Sequence, residues 1–253
     1  MAEYSAVRDQ VTDEEWQIRV DLAACYRIIA MYGWDDLVFT HVSARVPGSE
    51  EHFLINAYGM LFEEMTASSL VKVDLKGNKI LESPHMINPA GFVIHSAIHE
   101  ARADCGCVLH THTKAGIAVS AQVDGLRPLS QISLFPYSAL AYHAYEGIAL
   151  NDDEKQRLVA DLGDNHALIL RNHGLLTTGI TIADAFLMMY ALETACQTQI
   201  LAQSSGRELL QVPQPIVEGI QAQVEQVTKG LGGQLAWPGL LRKLDRADPS
   251  FRD

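Results

Sequence analysis

The chain has 253 residues, an apolar fraction of 48% and a formal net charge of −12 at pH 7. A chain of this length and composition folds around a substantial hydrophobic core, and its acidic balance argues against a nucleic-acid partner, which needs excess Lys and Arg. Four cysteines without a CxxC pair suit a reducing cytoplasm. The sequence shows neither a signal peptide nor an apolar window of about 18 residues, so we expect a cytoplasmic protein with no membrane partner.

The first half of the chain predicts a helix followed by antiparallel strands. Thr12 and Glu15 form a capping box, which begins a helix predicted over 14–32 and ended by Gly33. Alternating apolar and β-branched residues then predict short strands. Their ranges are 38–46, 53–56, 70–75 and 79–81.

The second half predicts helices and strands in alternation. The helices are expected over 89–102, 114–122, 151–162 and 181–204, and the strands over 108–112, 167–170 and 174–179. The segment 128–145 is interpreted as loop and short strand. Together these elements predict one α/β domain over 14–206. Residues 207–253 are expected to form a tail that packs on the domain or is partly flexible, with one helix near 217–227.

Two histidine motifs stand at predicted strand ends. His110 and His112 are two residues apart, so in an extended chain both imidazoles point to the same face. His173 follows the later strand, in Arg171-Asn-His-Gly174. Three imidazoles are the usual protein contribution to catalytic zinc, with the fourth position open. A pair of buried structural histidines is the alternative for His110 and His112 alone, and the strand-end placement favours a metal.

Several motifs together resemble the class II aldolase/adducin family. They are Thr40-His-Val-Ser-Ala-Arg45, Asn56-Ala-Tyr-Gly59, His110-Thr-His112 and Arg171-Asn-His-Gly174. The resemblance implies a three-layer α/β/α single domain with a mostly antiparallel central sheet. It also implies a homotetramer with active sites at subunit interfaces, and a divalent metal, most often zinc with manganese as the second choice. The implied metal ligands are His110, His112 and His173.

Two branches of that family compete for this chain. The sugar-phosphate enzymes place an acid beside the metal, where this sequence has Gly91, and of their phosphate-binding residues only Gly59 matches. This disfavours a phosphorylated sugar and leaves a sugar-phosphate epimerase as a weaker alternative. The chain also resembles the adducin head domain, which keeps much of the histidine pattern without a known need for catalysis. The histidines alone therefore do not establish an enzyme.

The leading hypothesis is a metal-dependent lyase that cleaves a C–C bond in a small oxygenated substrate. Cleavage by retro-aldol reaction or decarboxylation would pass through a metal-stabilised enediolate or enolate, and decarboxylation needs no base to take a hydroxyl proton. The alternative is a non-catalytic oligomeric scaffold or binding protein. The candidate residues fall into two sets: Tyr142 and His95 for catalysis, and His41, Gly59 and Gly91 for substrate binding.

Two further residues receive structural interpretations. His99 lies four residues after His95 on the predicted helix and is expected to be partly exposed. Glu193, on the predicted helix over 181–204, is expected to have no special role.

Overall fold

A computed structural model describes residues 7–147, 152–229 and 231–253. Its strands are β1 (His41–Arg45), β2 (His52–Ile55), β3 (Val71–Asp74), β4 (Cys107–Thr111), β5 (Leu140–His143), β6 (Ala167–Leu170) and β7 (Gly174–Gly179). Its α-helices are α1 (Asp13–Met31), α2 (Pro89–Ala101), α3 (Lys114–Ser120), α4 (Gln131–Tyr137), α5 (Asp152–Leu162), α6 (Ile182–Ser204), α7 (Gln214–Thr228) and α8 (Trp237–Ala247). None of the helices in these ranges is long and apolar enough to cross a membrane.

The strands form one seven-stranded sheet in the order β3-β2-β1-β4-β7-β6-β5. Neighbouring strands are antiparallel except β5 and β6, which run parallel. The predicted mostly antiparallel sheet is therefore confirmed. The register of β1 against β4 places His41 directly opposite His110, so two histidines that are distant in sequence become neighbours in the sheet.

Helices cover both faces of the sheet, and each face has its own hydrophobic cluster. On β4, Cys107 and Leu109 pack into the cluster that includes α1 and α6, whereas Val108 packs into the cluster that includes α2 and α5. The predicted three-layer α/β/α domain is thus confirmed. Because side chains alternate along a strand, His110 points to the same face as Val108, toward α2.

The segment 128–145 differs from the sequence-based interpretation. It contains helix α4 before strand β5, where a loop was expected in place of the helix. Pro136 lies inside this helix, and a proline usually marks a loop because it removes a helical N–H. The helix nevertheless begins with a local cap, in which the Ser130 side chain accepts a hydrogen bond from Ser133 N.

Beyond residue 206 the chain forms two helices on the surface of the sheet domain. Helix α7 covers the predicted segment 217–227, and α8 was not predicted. Trp237 and Leu244 from α8, and Phe251 after it, are buried in the cluster that includes α1 and α6. The division of the chain at residue 206 stays a prediction.

Candidate metal centre

Two of the three predicted ligands stand at the end of the central strand β4. His110 Nδ1 lies 2.9 Å from Leu175 O on β7, so this nitrogen donates its proton and leaves the Nε2 lone pair free. His112 Nδ1 lies 2.9 Å from Asp36 Oδ2. The carboxylate accepts that N–H, and such a partner fixes the tautomer and orientation of a metal-binding imidazole.

The third histidine comes from the hairpin between β6 and β7. Asn172 has a φ of 56°, a left-handed conformation that asparagine tolerates better than most residues, and it turns His173 toward His110. Gly174 then starts β7 close against β4. A Cβ at Gly174 would lie 2.4 Å from Thr111 O and 3.4 Å from His110 Cε1. The absence of a side chain at 174 therefore lets the hairpin approach the other two histidines.

The donor set fits a divalent metal ion. The Nε2 atoms of His110 and His112 lie 2.9 Å apart, and each carries a lone pair because each ring donates its proton on the Nδ1 side. A cation held by both relieves this repulsion. The three histidines offer ligand atoms within 4.8 Å of one another. Nitrogens bound tetrahedrally to one zinc at about 2.0–2.1 Å lie roughly 3.3 Å apart, so the cluster needs little adjustment.

Burial keeps the imidazoles of His110 and His173 neutral. It lowers the pKa of His110 well below its usual range, and the neighbouring His173, His112 and His41 lower it further. Burial also lowers the pKa of His173 to about 4, with a smaller contribution from His112. Both rings are therefore uncharged at pH 7, and the neutral imidazole is the form that ligates a metal.

The cluster lies in a pocket of about 390 Å³, a volume within the usual range of small-molecule sites. Its lining includes Tyr58, Tyr145 and Asn88. Asn88 is the N-cap of α2, where its side chain accepts a hydrogen bond from Ala90 N. The amino-terminal end of α2, which carries a partial positive charge, therefore borders the pocket.

His41, which lines this pocket, packs against Gly91. A Cβ at Gly91 would lie 2.1 Å from His41 Cδ2 and 2.3 Å from His41 Nε2, so the imidazole fills the space of a side chain at 91. The His41 ring also stacks on His110, with ring centroids 5.2 Å apart. The structure therefore brings two of the predicted substrate-binding residues to the metal cluster.

His95 and His99 lie behind His41, away from the pocket. His95 is fully buried and its Nε2 lies 3.0 Å from His41 Nδ1. His99 was expected to be partly exposed, but it is only 2% exposed. The expectation was wrong because His99 packs between helix and sheet, with its ring stacked on Phe53 at 4.8 Å. Neither residue is among those that line the pocket.

Tyr142 and Gly59 are not brought to the three histidines within this chain. The hydroxyl of Tyr142 accepts a hydrogen bond of 3.0 Å from Leu126 N, and the Arg171 guanidinium lies over its ring. Gly59 is exposed. Tyr145 lines the pocket instead. A catalytic role for Tyr142 would require the pocket of another subunit, and it stays a prediction.

Sequence reasoning missed two carboxylates that support the cluster. Asp36 binds His112 from a loop distant in sequence, and no local pattern marks it. Glu193, interpreted as ordinary, is 2% exposed on α6 and accepts a hydrogen bond from the hydroxyl of Thr113, the residue after His112. Burial raises the pKa of Glu193. The apolar neighbours of Glu193 on α6, Leu192 and Ala195 among them, were the available sign that this position is buried.

The topology of the seven-stranded sheet and the three histidines clustered at the end of its central strand define the class of α/β fold. The family model of the class II aldolase and adducin N-terminal domain matches residues 20–200. The chain belongs to this family, and the predicted membership is confirmed.

Two relatives show the range of the family. A Pseudomonas aeruginosa protein, named provisionally as an aldolase class 2 protein, is 61% identical over 249 residues, which are 97% of this chain and 96% of that protein. Alpha-adducin of Rattus norvegicus is 43% identical over 203 residues, which are 78% of this chain but only 28% of adducin. The chain therefore matches a minor part of the adducin molecule.

Solved structures agree with the fold. An aldolase II superfamily protein from Pseudomonas syringae superposes with a TM-score of 0.92 at 53% identity, covering 98% of this chain and 99% of that one. L-fuculose 1-phosphate aldolase from Glaciozyma antarctica PI12 gives a TM-score of 0.80 at 29% identity, covering 95% and 93%. The class II aldolase fold thus extends along nearly the whole chain.

Proposed function

We propose that the protein is a divalent-metal lyase that cleaves a C–C bond in a small oxygenated substrate. The observation that carries the proposal is the cluster of three imidazoles, whose ligand atoms lie within 4.8 Å of one another, in a pocket of about 390 Å³. Relatives named as aldolases support it. We further propose zinc as the metal, with manganese as the second choice, and a homotetramer in the cytoplasm as the working form.

One set of residues would hold the metal, and another would contact the substrate. A bound metal polarises a carbonyl and stabilises the negative charge that develops beside it. His110, His112 and His173 would hold it, and Asp36 would orient His112. Gly91 makes room for His41, which contacts the substrate from the floor of the pocket. The amino-terminal end of α2 would attract an anionic substrate group such as a carboxylate.

The residues of the pocket favour a substrate that is not a sugar phosphate. The acid that the sugar-phosphate enzymes carry is replaced by Gly91, and the His41 imidazole occupies that space. His41 is therefore the side chain best placed to exchange a hydrogen bond with the reacting group. Decarboxylation fits this arrangement directly, because it needs no base to take a hydroxyl proton, whereas retro-aldol cleavage would need His41 or another group to take that proton. An epimerase is disfavoured by the missing phosphate-binding residues.

The alternative function is a non-catalytic oligomeric scaffold or binding protein. It is favoured by one observation, the 43% identity to the matched part of alpha-adducin. A scaffold that kept the fold would not depend on a metal, so a metal-free protein favours the scaffold, whereas a bound metal together with C–C cleavage favours the lyase.

The deciding experiment measures metal per chain by plasma mass spectrometry on protein purified without a metal-chelating tag. We expect about one equivalent of zinc or manganese in the wild type and its loss in a folded His110→Ala/His112→Ala variant. The matched control, His52→Ala on β2, should keep the metal. Hydroxyketones and aromatic carboxylates would then be screened for C–C cleavage. A metal content near zero that does not rise when metal is added back would overturn the lyase and favour the scaffold.

A further inference from the structure

A chain of four polar groups runs from the pocket into the interior between β1 and α2. His41 Nδ1 lies 3.0 Å from His95 Nε2, and His95 Nδ1 lies 2.6 Å from Ser43 Oγ. Ser43 Oγ lies 2.7 Å from His99 Nε2. None of the four residues is more than 3% exposed. Buried polar groups must satisfy one another, so the protons of these groups are not independent.

The geometry allows only two arrangements of the protons. A neutral imidazole has one N–H, and a hydroxyl donates one proton. Ser43 Oγ has no third hydrogen-bond partner among the described residues, so its proton goes to one of the two adjoining imidazoles. All links are then satisfied only when every group donates in the same direction. His41, His95 and His99 consequently all carry the proton on Nδ1, or all on Nε2.

The far end of the chain distinguishes the two arrangements. His99 Nδ1 is buried and has no well-formed hydrogen bond among the described residues, and the Cys105 backbone acts as a hydrogen-bond acceptor toward the His99 ring. A proton on this nitrogen therefore has an acceptor nearby, whereas a bare lone pair there has no donor among the described residues. This end favours protons on Nδ1 throughout. His41 Nε2, on the one member that lines the pocket, is then an acceptor.

We propose that Ser43, His95 and His99 are positioning residues that hold His41 in its Nδ1-protonated tautomer. The pocket then presents a hydrogen-bond acceptor beside the metal cluster and selects a ligand that carries a hydroxyl group at that point. That a ligand binds in this pocket rests on the proposed function, whereas the histidine tautomers are a property of the protein without a ligand. A ligand with a carboxylate or carbonyl oxygen there faces a lone pair and binds more weakly.

The direct test is the tautomeric state of the three histidines, read by nitrogen-15 NMR on protein labelled in its imidazole rings. We expect His41, His95 and His99 all to be protonated on Nδ1. A common Nε2 tautomer would overturn the assignment of His41 as an acceptor. Different tautomers among the three histidines would show that their protons are not coupled through hydrogen bonds, and would overturn the proposal.

Substitutions separate positioning from a merely structural role. Ser43→Ala removes the hydroxyl link, and we expect His41 to become a mixture of tautomers. Ser96→Ala is the matched control, because Ser96 is equally buried on α2 and its hydroxyl donates to Val93 O, which is not part of the hydrogen-bonded series from His41 to His99. His41 should stay Nδ1-protonated in the control. A single Nδ1 tautomer in Ser43→Ala would contradict the proposal.

A second variant guards against loss of folding in Ser43→Ala. His99→Phe removes both nitrogens but keeps an aromatic ring against Phe53, and it should release the His41 tautomer in the same way. Metal content is measured on the same samples. If the metal is absent and the three histidines share the Nδ1 tautomer, the lyase proposal fails and the hydrogen-bonded network stands. If the metal is bound and the tautomers are mixed, only the proposed network fails.

Discussion

At the scale of single residues, Gly91 and His41 occupy one space beside the three-histidine cluster. The imidazole lies where a side chain at 91 would project, with His41 Cδ2 at 2.1 Å from the position of an added Cβ. The same imidazole stacks on His110 and reaches His95. A methyl group at 91 would therefore displace the His41 ring, which links the three-histidine cluster to the buried, hydrogen-bonded groups of His95, Ser43 and His99.

We expect Gly91→Ala to destabilise the protein, although alanine is the better helix former. Overpacking a buried site typically costs about 1–3 kcal/mol, and alanine regains roughly 1 kcal/mol in a helix. The free energy of unfolding, measured by urea denaturation, should therefore fall by up to about 2 kcal/mol. Gly219→Ala is the matched control, because Gly219 is exposed within α7 and an added Cβ meets only Gln223 at 3.9 Å. The control should be neutral or more stable; equal effects at both sites would disprove the displacement.

The residues of the site differ in how far the sequence could identify them. His110 and His112 follow from strand periodicity alone, because two positions on one strand must share a face. The partners Asp36 and His41 depend instead on how distant segments pack, and no local pattern contains that information. The position of Tyr142 could not be predicted either, because side chains alternate along β5 and that of Tyr142 points away from the pocket within this chain.

At the scale of elements, helix α2 directs two imidazoles at the sheet. His95 and His99 are four residues apart and so lie on one face of the helix, and both are buried against β1 and β2. The sequence predicted this helix and the shared face. It did not predict the burial of His99, because that depends on Ser43 of β1 and Phe53 of β2. Short elements such as α4 are harder still, since Pro136 argues against a helix there.

The buried His99 makes the fold sensitive to acid. Burial, helped by the charge of Arg45, lowers the pKa of His99 to about 3, whereas an unfolded histidine has a pKa of about 6.5. Between these values the unfolded chain binds a proton that the folded chain does not, so stability falls as the pH falls below about 6.5. One such proton corresponds to a slope of about 1.4 kcal/mol per pH unit.

We expect His99→Phe to remove this slope. Urea denaturation at pH 7, 6 and 5 should show the variant losing less stability than the wild type on acidification, by up to about 1.4 kcal/mol per pH unit. Phe53→Leu is the control, because it disturbs the same ring contact without changing a titratable group. Its difference from the wild type should stay constant with pH, and a parallel response of both variants would show that His99 does not titrate between the two states.

At the scale of the whole molecule, the carboxy-terminal residues close the fold on the side of α1. Phe251 is fully buried, and its carbonyl accepts a hydrogen bond of 3.0 Å from Ala67 N. Asp253 O accepts another of 2.9 Å from Ser68 N. Arg27 of α1 donates to Asp248 Oδ2 at 3.0 Å. Only a peripheral tail was expected here, because the apolar partners of α8 lie far away in the chain, although Trp237, Leu241 and Leu244 already have helical spacing.

We therefore expect the tail to stabilise the domain rather than to be dispensable. Phe251→Ala should lower the free energy of unfolding by about 3–5 kcal/mol, as for other buried phenylalanines. Leu235→Ala removes an apolar side chain from the same tail that is 59% exposed, and its effect should stay within about 0.5 kcal/mol. Both are measured by urea denaturation followed at tryptophan and by circular dichroism. If the two variants behaved alike, or if the wild-type tail unfolded in a separate earlier transition, the tail would be an appendage and the domain would be complete without it.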